Sequence, residues 1–238
     1  MTDYMPPAFA EHFETVPPDV LHHYTGQTGL LGIVERAEMW CTKVQYMNDA
    51  TEFGLALDMA RKRLVQIQEE LEAEGSDRSS ANGKIIACVE FHRSLDGLEH
   101  INLFAACFCE DGDLLSQWRG YAGGSHGYAI RFDTEMLQRA VRPNGFTLGK
   151  CIYDTDIQRE IVEQAIHHCL DDELAIPSRS RWGGHGPLAD ILFRCGVFFK
   201  EPSFAEEKEW RLVSPTIMFH NERLEFRSGR SMITPYYS

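Results

Sequence analysis

Glu207-Lys208-Glu209-Trp210-Arg211-Leu212 alternates charged with large apolar residues, which is the period of a strand with one face in a core. Alternation predicts Trp210 and Leu212 toward the interior, with Glu207, Glu209 and Arg211 sharing the opposite face. Short runs rich in aromatic and β-branched residues recur at Glu38 to Val44, Leu103 to Cys109, Gly127 to Phe132, Thr147 to Tyr153, Glu209 to Val213 and Leu224 to Phe226, each predicting a strand. These runs outnumber the helical segments and are not regularly interleaved with them. The expected class is therefore α+β, a mixed or antiparallel sheet with packed helices, and not a doubly wound parallel fold.

Three helices are legible. Phe53, Leu57, Ala60, Leu64, Ile67 and Leu71 recur at spacings of four and three, behind Asn48 or Asp49 as N-cap and with Glu52 completing a capping box. Ile157, Ile161, Ala165, Ile166, Cys169 and Leu174 form a second stripe, opened by Thr155 and Gln158. Leu188, Ile191, Leu192, Cys195 and Phe199 form a third behind Pro187, a residue suited to the first helical turn. Gly75 to Gly83 reads as an exposed loop, and Ile176 to Gly186 as a mobile lid carrying Arg179, Arg181 and Trp182. His167 and His168, adjacent on a helix, cannot converge on one metal.

The chain's 238 residues fit one large domain, here an extension over residues 1–20 followed by a single α+β domain over 21–238. With 43% hydrophobic and 11% aromatic residues there is enough apolar surface for a core. A net charge of −13 repels the phosphate backbone, so generic DNA binding is not expected. The start of the chain has neither a cationic stretch nor an apolar run, and no segment approaches a membrane-spanning length, so a cytoplasmic protein without membrane attachment is expected. Seven cysteines without a Cys-x-x-Cys pair read as reduced thiols, and no metal site is expected.

Four segments together resemble a family of bacterial proteins catalogued as domain of unknown function 2971. They are Leu21-His22-His23-Tyr24-Thr25 with Gly29-Leu30-Leu31-Gly32-Ile33; Tyr46-Met47-Asn48-Asp49 with Glu52; Ser116-Gln117-Trp118-Arg119-Gly120-Tyr121 leading to Gly127 through Phe132; and Phe204 with Glu207 through Arg211. The chain stops at Ser238, where that family typically continues through another strand and helix.

A strand with His-x-Thr, a short Leu-x-x-Ile helix and a late Glu-x-Glu strand are also similar to the opening and closing elements of ADP-ribosyltransferases. That resemblance implies a split sheet with NAD bound, as substrate, in the cleft. Under it, His23 and Thr25 would hold the nicotinamide-side ribose, an aromatic from Tyr24, Trp118 or Tyr121 would stack, and Arg119 would take phosphate. Glu209, assisted by Glu207, would stabilise an oxocarbenium-like centre, with Arg211 beside them. Tyr24 stands where the commoner form of the first motif has glycine. The acceptor would be protein, nucleic acid or water, and a toxin or phage-defence role is the association such proteins carry.

The residues themselves leave other readings open. Trp118, Arg119 and Tyr121 in a glycine-rich loop suit a non-catalytic sensor of a nucleotide or small anion. Glu207 and Glu209 with a divalent ion suit a hydrolase. The same carboxylates with Arg211 equally describe a solvated ion-pair cluster on a half-exposed strand.

Overall fold

The computed structural model describes residues 4–47, 51–74, 78–96, 101–121, 126–171, 186–217, 223–228 and 233–238. These fall into two compact units, one built from residues 1–12, 51–101 and 154–199, the other from 13–50, 102–153 and 200–238.

The first unit is helical. Its elements are α1 (Pro7–Phe13), which continues to the unit's boundary, α3 (Thr51–Glu74), α4 (Arg78–Ser94), α7 (Thr155–Asp171) and α8 (Pro187–Gly196). Leu57, Ala60, Leu64 and Ile67 of α3 are buried, as are Ile161, Ala165, Ile166 and Cys169 of α7 and Leu188, Ile191 and Leu192 of α8. These members of the predicted stripes form the interior, each large aliphatic side chain contributing about 1.5–3 kcal/mol, while Leu71 and Ile157 are half-buried and the Phe53 side chain and Leu174 lie outside the described residues. A Cβ on Gly196 would lie 2.6 Å from the Ala56 Cβ, so α8 meets α3 at a distance only glycine permits.

Two expectations change in this unit. Arg78 to Gly83 is the start of α4 and not a loop, and Cys88, Phe91 and Leu95 bury its far end. The α7 cap is Asp154, whose Oδ1 accepts from the Asp156 and Ile157 backbone N–H groups at 2.8 and 3.2 Å, one residue earlier than the Thr155 box. Gln158 is fully buried instead of reaching back. The Asn48/Asp49 cap, the Glu52 side chain and the segment 176–185 lie outside the described residues.

The second unit is an eight-stranded sheet in which every described ladder is antiparallel. Its strands are β1 (Val20–Gly26), β2 (Cys41–Lys43), β3 (Phe104–Cys109), β4 (Gly127–Asp133), β5 (Thr147–Lys150), β6 (Glu209–Val213), β7 (Leu224–Ser228) and β8 (Ile233–Tyr237). Helices α2 (Gln27–Arg36), α5 (Leu115–Tyr121) and α6 (Thr134–Val141) belong to it. The protein is accordingly α+β with an antiparallel sheet and packed helices.

One face of the sheet is the core. Phe104, Ala106 and Phe108 of β3, Trp210 and Leu212 of β6, Leu21 of β1 and Tyr237 of β8 share one buried cluster with Leu137 of α6. Asp133 sets the start of α6 by accepting from the Met136 backbone N–H at 2.9 Å, the normal N-cap geometry. Two predicted strands are shorter than expected: the run from Glu38 yields only Cys41–Lys43 before a 3-10 turn at Val44–Tyr46, and the run from Thr147 stops at Lys150, whereas the run Glu209 to Val213 is strand β6 over its full length.

Candidate functional site

Strand β3 organises the polar chemistry because three strands use it. Along one edge it pairs with β6 over its length, from Ala105↔Val213 to Cys109↔Glu209. The other edge is divided: β1 pairs only at His22↔Cys109, and β2 only at Thr42↔Ala105 and Lys43↔Phe104. Between those points no ladder pairs β3 with either strand on this edge. The His23 ring fills the gap, its Nδ1–H donating to the Cys107 carbonyl at 2.8 Å. Burial lowers the His23 pKa, that hydrogen bond opposes the shift, and the Arg227 charge adds to it. The imidazole is thus held neutral, with Nε2 the acceptor nitrogen.

Register assigns faces. His22, Cys109 and Glu209 lie in one row across β1, β3 and β6, so the face of Glu209 takes His22 and Tyr24 from β1 and not His23 and Thr25. His23 reaches the gap from the core side, against Phe108. Thr25 lies over the first turn of α2, where a Cβ on Gly29 would come 2.0 Å from its Oγ1.

Tyr24 is buried and braces the chain after β3. Its hydroxyl donates to the Asp111 carbonyl at 3.0 Å and accepts from the Leu114 N–H at 2.8 Å, and its ring meets Trp118 edge-on at 4.9 Å. Trp118 is further fixed by an indole N–H bond to Asp113 at 2.8 Å. The stretch from Leu115, expected as a loop, is therefore helix α5 on an anchored approach, with Arg119 exposed on it. Tyr24→Phe should destabilise the sheet unit by about 0.5–1.5 kcal/mol, since two part-buried hydrogen bonds, to the Asp111 carbonyl and from the Leu114 N–H, are lost. Faster amide exchange at Leu114 than in wild type is the local signature to measure.

The carboxylate cluster departs most from expectation. Glu207 is not on the strand; it ends a 3-10 turn over Pro202–Glu207, and Lys208 at φ 41° breaks the alternation. Strand β6 is buried on both faces. The cluster is therefore internal and not solvated: Lys200 is 2% exposed, Glu209 and Arg211 3%, Glu207 9%. Lys200 Nζ lies 2.5 Å from Glu209 Oε2 and 2.9 Å from Glu207 Oε2, and Arg211 Nε lies 2.6 Å from Glu209 Oε1. Tyr153 Oη accepts from the Glu209 backbone N–H at 2.8 Å.

Burial alone would push the Glu209 carboxyl up. Arg211 and Lys200, helped by a hydrogen bond from the Cys107 thiol, outweigh it and hold the group below the usual carboxylate range. Burial and the Glu209 charge together push the Cys107 thiol well up, so it stays protonated. Burial, then Cys107 and Glu209, raise the Tyr121 hydroxyl in the same way, which places the end of α5 beside the cluster. A carboxylate offers about four lone-pair sites; Lys200, Arg211 and Cys107 engage three.

Sequence reading missed Lys200, Cys107 and Tyr153. The only signal for Lys200 is its position at the end of the apolar run Val197-Phe198-Phe199. All seven cysteines are free thiols and six are buried. Among the described residues no group of three or more His, Cys, Asp or Glu side chains could hold a metal ion, and no helix is long and apolar enough to cross a membrane. An open groove of about 500 Å³ lined by Tyr4, Gln164, His167, His168 and Asp171 lies within the helical unit.

Residues 117–212 match the profile of a protein family of unknown function, DUF2971. The match takes in most of α5, strands β4 and β5, Lys200 and the Glu209–Arg211 pair. No curated protein matches the chain, and no solved structure does.

Proposed function

We propose that the protein is an ADP-ribosyltransferase-like enzyme that uses NAD as substrate, with Glu209 as the charged group at its reacting centre and the divided edge of β3 as the cleft. The observation that carries this reading is an ionised, nearly enclosed glutamate on β6, one strand from the gap on the β3 edge where His23 stands. In the transfer the bond from the ribose anomeric carbon to nicotinamide breaks, and nicotinamide leaves with the electron pair. An acceptor nucleophile then bonds to that carbon and gives up its proton. Positive charge develops at the sugar meanwhile, and a preorganised carboxylate stabilises it without reorganisation cost. The fourth lone-pair site of Glu209 would accept from a ribose hydroxyl, and His23 Nε2 from another. Glu207 supports this through the shared Lys200.

The test is chromatography of NAD incubated with the protein, with and without a chelator. Nicotinamide release indifferent to the chelator is expected. Absence of both release and NAD binding sinks the reading, while release abolished by the chelator would favour the metal-dependent alternative.

A second reading, a non-catalytic nucleotide or small-anion sensor, is favoured by the exposure of Arg119 on a helix whose approach is anchored by Tyr24 and Trp118. It requires binding without nicotinamide release.

A further inference from the structure

A second group of residues on the Glu209 face of the sheet has no place in that mechanism. Thr42 of β2 pairs with Ala105 of β3 and with Tyr236 of β8, which in turn faces Glu225 of β7. By alternation Arg227 shares the face of Glu225, and its Nη2 donates to Thr42 Oγ1 at 2.7 Å. The Arg227 guanidinium lies 5.9 Å from the Trp40 ring centroid and that of Arg36 5.7 Å from the same ring. Arg36 also approaches the Tyr236 hydroxyl. The Trp40 indole N–H is buried and has no acceptor among the described residues.

Three observations converge on an acceptor-rich ligand. First, Arg227 is partly buried, and no carboxylate forms an ion pair with it among the described residues, in a chain with 36 acidic residues against 23 basic ones. An inward-lying cation without a counter-charge is costly, and burial already lowers its proton affinity. Second, a second guanidinium shares its ring although like charges repel. Third, the nearby indole donor is unsatisfied, and a buried donor normally finds a partner. Each deficit is met by the same object, a group with negative charge and several acceptor oxygens. The forked guanidinium is suited to phosphate. The position also fits, because Arg227 is near enough to the gap to act electrostatically on both His23 and Tyr121.

We propose that Arg227, Arg36 and the Trp40 indole N–H form an anion subsite for the diphosphate of a nucleotide bound along this face. The identification of that nucleotide as NAD rests on the function proposed above; the anion subsite does not. It takes over the phosphate role expected of Arg119, which is exposed on α5.

The experiment is calorimetric titration of NAD, inorganic pyrophosphate and adenosine into wild type, Arg227→Gln and Arg227→Lys, at low and moderate salt. Wild type should bind NAD and pyrophosphate, more weakly as salt rises. Arg227→Gln should weaken both by about ten- to a hundredfold, the range for hydrogen bonds to charged groups, and Arg227→Lys should restore part of the loss. Melting curves of the two variants separate binding from folding, since lysine keeps the charge and most of the apolar stem. NAD bound equally by wild type and Arg227→Gln overturns the subsite and leaves the NAD reading standing. Pyrophosphate bound in an Arg227-dependent way without any NAD binding keeps the subsite and removes NAD as the ligand. Failure of wild type to bind either anion overturns both.

Discussion

Lys200→Met will destabilise the sheet unit by about 3–5 kcal/mol at neutral pH, the cost of stranding a buried charge whose partner is removed. The cluster is balanced in wild type: Lys200 and Arg211 against Glu207 and Glu209, all at most 9% exposed. Methionine matches the lysine stem but leaves one guanidinium for two carboxylates. The double change Lys200→Met, Glu207→Gln restores one charge of each sign and should recover a substantial part of the loss. Denaturant titration of the three proteins measures this, and equal midpoints for wild type and Lys200→Met would show that the cluster is not held as described.

The same cluster fixes an acid limit. Glu209 has a folded pKa depressed from 4.5 to about 2, so its stabilisation is fully present above 4.5 and is lost as pH falls from there toward about 2. Lys200 is one of the two cations responsible for that depression. Its removal lessens the depression, and the stability gap between wild type and Lys200→Met should narrow through this window. A gap constant with pH would assign the stabilisation to packing of the lysine stem and not to charge.

How much of this was readable from sequence depends on how far each signal is local. Helices α3, α7 and α8 follow from apolar spacing, and Pro187 marks the start of the last. Trp210 and Leu212 were placed correctly because strand alternation needs no knowledge of neighbours. Helix α4 was hidden because it opens on Arg78-Ser79-Ser80-Ala81-Asn82-Gly83, a stretch with the composition of a loop, and its buried residues, Cys88 and Phe91, come only further along. Strand β8 was obscured by Pro235. Its ladder with β2 covers only Tyr236 and Tyr237, so the missing N–H costs no bond on that side.

The candidate site was half legible for a related reason. Glu209 and Arg211 share a face as the alternation predicts, but whether that face is wet or buried depends on strands distant in sequence. Glu207 joins them by a different route, through the positive φ at Lys208 and the ammonium of Lys200. Arg227 and Trp40 are 187 positions apart in the chain and meet only because β2 and β8 pair, which no local pattern encodes.

Glu209→Gln should reduce nicotinamide release by about 10²–10³-fold, the usual loss on removing one preorganised electrostatic group from a reacting centre. The amide keeps the shape of the side chain and one acceptor oxygen, so NAD affinity should change little if the diphosphate is held elsewhere on the face. Because glutamine also leaves Lys200 and Arg211 facing only Glu207, rates must be corrected for the folded fraction by circular dichroism. Glu209→Asp distinguishes the two functional readings. Aspartate keeps the charge but withdraws it by about one methylene, roughly 1.5 Å, and a misplacement of that order costs about 10²-fold where a reacting atom must be met. A transferase therefore loses most of its rate in both variants. A sensor that uses Arg119 binds its ligand equally in wild type, Glu209→Gln and Glu209→Asp, and releases no nicotinamide in any of them.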